Sequence, residues 1–179
     1  MQKWIALFRG INVGGKNVLP MSELRSDLKG LGLENIRTYI QSGNVVFDSE
    51  SKNVRALAQA ITERIQRQRG FGPRVLIISR KDLQLAIKAN PFPDAVSDPQ
   101  SLHFFFLDDA PATPNLKALD EAKAPTEAYM IKGKLFFLHA PEGVGRSKLA
   151  ASAEKYLGVA VTARNYRTVE KIAALAEQT

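Results

Sequence analysis

Apolar and polar positions along this chain switch between a period of two and a period of 3.6, and the order of the switches predicts the architecture. Lys3–Phe8 is a mostly apolar run of β formers closed by Arg9-Gly10, and reads as a buried strand. After a polar stretch, Pro20 stands where a first-turn proline belongs. Leu24, Leu28 and Leu31 follow at i, i+4 and i+7 until Gly32 stops the helix. Ile36–Ile40 and Asn44–Phe47 read as two short strands around the turn Gln41-Ser42-Gly43. Val54, Leu57, Ala58, Ile61 and Ile65 then mark a long amphipathic helix ending near Gly70, and Arg74–Ser79 is a strand. The first half is therefore β-α-β-β-α-β, the split βαβ order of ferredoxin-like folds.

Ser79 and Asp82 have nearly the spacing of a capping box and open a short helix to about Ala89. Asn90–Gln100 holds three prolines and two aspartates, which makes it the expected boundary. The order then repeats: a strand at Leu102–Leu107, a helix at Pro114–Lys123, and a hairpin of Ala128–Ile131 and Lys134–Leu138 around Lys132-Gly133. A helix at Ser147–Leu157, a strand at Gly158–Thr162 and a closing helix at Thr168–Glu177 complete it. The expected fold is α+β, two ferredoxin-like (βαββαβ) halves in tandem with a C-terminal helix. The expected domains are 1–90, carrying the Gly-rich loop, and 91–179.

Charge separates the halves. Residues 1–90 hold 15 Lys and Arg against 7 Asp and Glu, a net +8; residues 91–179 hold 10 against 11, a net −1, and together they give the chain's +7. A basic half points to an anionic partner, phosphate-bearing small molecule or nucleic acid, although Arg25, Arg55, Arg64, Arg67 and Arg69 lie on helices where exposed arginine is ordinary. There is no cysteine, which excludes disulfides, thiol catalysis and cysteine-ligated metal. No run approaches the roughly 18 apolar residues of a spanning helix, and no cleavage pattern follows the first ten residues. The expected location is the cytoplasm, with no membrane partner and no cofactor.

The segment Arg9-Gly-Ile-Asn-Val-Gly-Gly-Lys-Asn17, between the first strand and first helix, carries the densest candidate chemistry. Gly10, Gly15 and Lys16 have the G-x-x-x-x-G-K spacing of a phosphate loop, but Asn17 stands where a Ser or Thr would hold magnesium. Val18, Leu19 and Pro20 also keep the loop from running into the helix, so its first amides cannot point at a phosphate there. Gly14 and Gly15 permit positive φ and close backbone approach, and with Arg9, Asn12, Lys16 and Asn17 beside them they suit an anion-binding nest. A plain tight turn would need the glycines but none of those four side chains. Gln41, Ser42 and Asn44 form a second polar cluster that the sheet would bring to the same end; turn chemistry explains them equally well.

In the second half, Gly143-Val-Gly-Arg-Ser-Lys148 opens a helix with glycines and two cations, either an anion site or a loop capped by Ser147. Arg164 and Asn165, flanking Tyr166 and Arg167, join the candidate ligand-binding set; Asn165 also suits an N-cap. His103 and His139 lack the spaced partners of a metal site or triad. No catalytic residue is singled out and no metal site is expected. Asp108-Asp109, closing an apolar strand, would be the metal holders of a nucleotide-dependent enzyme, a reading kept open beside ligand and nucleic-acid binding.

Phe8–Asn17 with Pro20-Met21 and Leu24, Thr38-Tyr-Ile-Gln-Ser-Gly-Asn44, Gly145-Arg-Ser-Lys-Leu149 and Thr162-Ala-Arg-Asn165 together resemble a bacterial family, domain of unknown function 1697. Tyr166 stands where many members would carry Trp, a change that keeps an aromatic ring. The resemblance implies the α+β fold of ferredoxin-like halves and attaches no activity or catalytic residue. Its landmarks are the polar loops selected above, which favours one shared site over unrelated turns.

Overall fold

A computed structural model describes residues 1–178. Among them the chain runs β1 (Gln2–Arg9), α1 (Met21–Lys29), β2 (Glu34–Tyr39), β3 (Asn44–Ser49), α2 (Val54–Arg69), β4 (Arg74–Ser79) and α3 (Arg80–Lys88). It continues through β5 (Leu102–Leu107), α4 (Leu116–Ala122), β6 (Ala128–Lys132), β7 (Leu135–His139), α5 (Lys148–Leu157), β8 (Val161–Asn165) and α6 (Tyr166–Glu177). The fold is α+β with two four-stranded antiparallel sheets, ordered β2-β3-β1-β4 and β6-β7-β5-β8. The second order repeats the first strand for strand. Two compact units result: Met1–Leu85 with the chain from Lys171 on, and Ala86–Glu170. No helix among the described residues is long and apolar enough to cross a membrane.

In the first unit, Trp4, Ala6 and Phe8 alternate along β1 onto one face and meet Leu24 and Leu28 of α1 with Leu57, Ile61 and Ile65 of α2. Asn53 caps α2 by accepting from the Ala56 N–H at 3.1 Å, and Gly70 ends it at φ 79°. The expected capping box forms: Asp82 N–H donates to Ser79 Oγ at 3.0 Å while Ser79 N–H donates to Asp82 Oδ2 at 3.2 Å. The last turn of the chain is tied to this unit, with Lys3 Nζ donating to the Gln178 carbonyl and Arg37 Nη1 to its side-chain Oε1, each at 2.8 Å.

In the second unit, Phe105, Leu107, Phe136, Leu138 and Val161 form the sheet's share of a core closed by Leu119, Leu149, Ala153 and Leu157. Here the sequence reading needs two corrections. Gly158 is the left-handed cap of α5, at φ 71°, so β8 begins at Val161. The strand then continues to Asn165 because its partner β5 extends as far, pairing His103 with Asn165 and Phe104 with Arg164. Residues 163–165, two of them polar, read as a loop in sequence; pairing with a buried central strand keeps them extended. Helix α6 therefore follows β8 directly, capped by Asn165 Oδ1 accepting from the Thr168 N–H at 2.9 Å.

Candidate functional site

At the end of β1 in the first unit, the chain enters a run of left-handed residues: Gly10 (φ 78°), Asn12 (54°), Gly14 (57°), Gly15 (72°) and Asn17 (50°), with Ile11, Val13 and Lys16 between them at negative φ. The run folds into a miniature hairpin. Asn12 N–H donates to the Asn17 carbonyl at 3.1 Å and Lys16 N–H to the Val13 carbonyl at 3.0 Å, so Gly14-Gly15 is a two-residue turn with both φ values positive, the type I′ pattern. At the tip the N–H groups of Gly14 and Gly15 have no acceptor, and the Lys16 ammonium no partner, among the described residues. Two adjacent N–H groups without acceptors are donors of the kind an anion takes.

Asn12 holds this loop in place. Its Nδ2 donates to the Leu19 carbonyl at 2.9 Å and to the Gln41 carbonyl at 2.8 Å, while its Oδ1 accepts from the Leu19 N–H at 2.7 Å. Both amide hydrogens are thereby engaged, so Asn12 is a staple that shapes the site rather than a group presented to a ligand. Asn17 acts similarly, its Nδ2 donating to the Gly10 carbonyl at 2.8 Å. Leu19 is buried beneath the loop, and α1 starts afresh at Met21 behind Pro20 with no side-chain cap. The phosphate-loop geometry, in which the loop flows into a helix, is therefore absent from these residues.

The structure does bring the Gln41 turn to this loop. Phe8 N–H donates to the Gly43 carbonyl at 2.9 Å, continuing the β1–β3 ladder past Asn44, and Asn12 bridges to Gln41 from the other side. Gly43 sits at φ 73°, where an added Cβ would lie 2.5 Å from Phe8 Cβ and 2.6 Å from Ile11 Cδ1. Asn44 is wholly buried; its Nδ2 donates to Ser42 Oγ at 2.9 Å and to the Tyr39 carbonyl at 3.1 Å, closing the turn. Gln41 itself is exposed beside the hairpin.

Sequence reasoning missed one residue here. Arg9 ends β1 directly opposite Arg74, the first residue of β4. Strand register, which sets this pair, cannot be read from either segment alone; the only local cue is a basic residue opening a strand after Gly-Phe-Gly-Pro73.

The second unit places the remaining candidates. Arg164 is half-buried on β8, and burial lowers its guanidinium pKa to about 10, still cationic at neutral pH. Asn165 is the N-cap described above. Ser147 caps α5, accepting from the Ala150 N–H at 2.9 Å, so one of the first-turn amides of that helix is already satisfied. Asp109 is ion-paired with Lys134 at 2.9 Å. No group of three or more His, Cys, Asp or Glu among the described residues is arranged to hold a metal ion. His103 is buried, its Nδ1 has no hydrogen-bond partner among the described residues, and burial lowers its pKa, a backbone bond at Ser101 opposing this in part.

A family model described as "Protein of unknown function (DUF1697)" matches residues 1–137. Among solved structures the chain is similar to the conserved bacterial protein SP0830 from Streptococcus pneumoniae. It is 27% identical to that protein, with a TM-score of 0.72, over 98% of this chain and 99% of that one. No curated protein gives a significant match.

Proposed function

The chain belongs to the DUF1697 family, and from that premise we propose that it is a soluble cytoplasmic protein of two ferredoxin-like halves that binds an anionic, phosphate-bearing ligand at the Gly10–Asn17 hairpin. The reading is carried by the run of left-handed residues whose tip holds two N–H groups without an acceptor, beside a lysine that has no partner among the described residues. Lys16 supplies the charge, the amides of Gly14 and Gly15 supply hydrogen-bond donors, and Arg9 stands at the end of β1 where the loop begins. Asn12, Asn17, Ser42 and Asn44 hold the two turns in register so that these donors are set before a ligand arrives; Gln41 lines the edge. Such preorganisation lowers the cost of binding.

Nucleotide-dependent chemistry gains less support. Asp109 already has Lys134 as its partner, and the hairpin lacks both the hydroxyl and the helix start that a magnesium-phosphate site uses. Nucleic acid would be drawn to the same positive charge without any need for the hairpin.

A thermal-shift screen of orthophosphate, pyrophosphate, nucleotides and sugar phosphates tests the proposal. Ligand binding to the folded state raises the melting temperature by mass action. The expected result is a shift from a phosphate-bearing compound that Lys16→Ala abolishes and Arg9→Ala reduces. A shift that both variants retain would overturn the assignment.

A further inference from the structure

Three apolar side chains stand out of the first unit around the same loop: Val13 is 67% exposed, Val18 61% and Ile40 52%. All three adjoin Asn12. Val13 follows it in the chain, Val18 precedes the Leu19 whose backbone bonds its carboxamide, and Ile40 precedes the Gln41 whose carbonyl accepts from it. Single exposed aliphatics are ordinary; here three stand on or directly after two turns that Asn12 ties together. Ile40 is also held at φ 50°, a conformation in which a β-branched residue is a genuine outlier. The turn thus keeps an aliphatic side chain exposed where Asn or Gly would sit without strain.

Charge indicates what would cover these side chains. Neither turn contains an acidic residue: Phe8–Ser22 holds Arg9 and Lys16, and Ile36–Phe47 holds Arg37. Aliphatic tips beside the lysine of the same loop, with no acidic residue in either turn and no exposed aromatic in them for base stacking, match an anionic lipid surface, where apolar burial and attraction to headgroups add and no shape complement is needed.

We infer that the hairpin and the Gln41 turn dock onto an anionic phospholipid surface, with Val13, Val18 and Ile40 entering the interface and Lys16 and the Gly14-Gly15 amides meeting lipid phosphate. The inference rests on the phosphate reading above and names the source of the phosphate. Such a contact lies on the surface and spans nothing, in keeping with the lack of a membrane-spanning helix among the described residues.

Co-sedimentation of the full chain with phosphatidylcholine vesicles, with and without phosphatidylglycerol, tests it. The wild type is expected to bind only the anionic vesicles, and the triple change Val13→Ser, Val18→Ser, Ile40→Asn is expected to weaken binding roughly tenfold or more. Ile40→Asn alone should lower vesicle binding while leaving the melting temperature unchanged or raised, because Asn tolerates the left-handed region. A fall in melting temperature would show that the fold itself needs Ile40 and would overturn its role. Binding that salt abolishes but the apolar changes leave intact would overturn the insertion. Preference for a short oligonucleotide over the vesicles would also overturn it. If pyrophosphate binds through Lys16 and vesicles do not, this inference alone fails; if neither binds, the phosphate reading fails with it.

Discussion

Replacing Gly43 with alanine should destabilise the first unit by roughly 2–4 kcal/mol, through two separable terms. At φ 73° an L-residue costs about 1–2 kcal/mol relative to glycine. The reduced freedom of the unfolded chain returns about 0.4–1 kcal/mol of that. The new methyl would also lie 2.5 Å from Phe8 Cβ and 2.6 Å from Ile11 Cδ1. Both residues are buried, so neither can swing into solvent, and overpacking of this kind costs about 1–3 kcal/mol. Gly10→Ala is the matched control: its φ is 78°, yet no heavy atom lies within 4 Å of the added carbon, so only the dihedral term applies. The single tryptophan, Trp4, lies in the first unit's core, and its fluorescence during urea denaturation reports that unit. Gly43→Ala should lose about 1–3 kcal/mol more than Gly10→Ala. Equal losses would refute the claim that close approach of the two turns, rather than backbone conformation, requires this glycine.

Asn12→Ala removes three hydrogen bonds and leaves the Leu19 N–H without its partner, and should cost about 2–3 kcal/mol in the same denaturation assay while weakening any phosphate ligand found. Loss of binding with stability unchanged would instead make Asn12 a direct ligand contact. His103 titrates below its ordinary value in the folded chain, so the unfolded chain binds more protons at mildly acid pH. Stability should therefore be full above about pH 6.5 and decline as the pH falls toward the depressed folded value. His103→Gln should flatten that decline in urea midpoints measured across the range, and an unchanged pH profile would contradict it.

The order of elements was legible because each carries its own local pattern. The apolar runs at β1 and β5, the leucine spacing of α1 and the Ser79–Asp82 box need no knowledge of neighbours. What escaped depends on pairing. Arg164 and Asn165 look like loop residues until β5 holds them in a strand, and Arg74 gains interest only through its register with Arg9. Asn12 looked like a ligand group because nothing in the chain announces that Leu19 and Gln41 engage its carboxamide. The positive φ of Ile40 has no local cue, since β-branched residues almost never adopt it. The glycines at 14 and 15 were readable as a turn; the hairpin they form, which leaves their amides without an acceptor, required the Asn12–Asn17 and Val13–Lys16 pairings.

Amide resonances of Gly14 and Gly15, followed by nitrogen–proton correlation spectra during a pyrophosphate titration, test the phosphate-binding reading most directly. Both signals should move saturably, with Lys16 and Asn17 moving alongside, and no saturation should appear in the Lys16→Ala variant. Saturable changes confined to residues elsewhere in the chain, or none at any concentration, would contradict it.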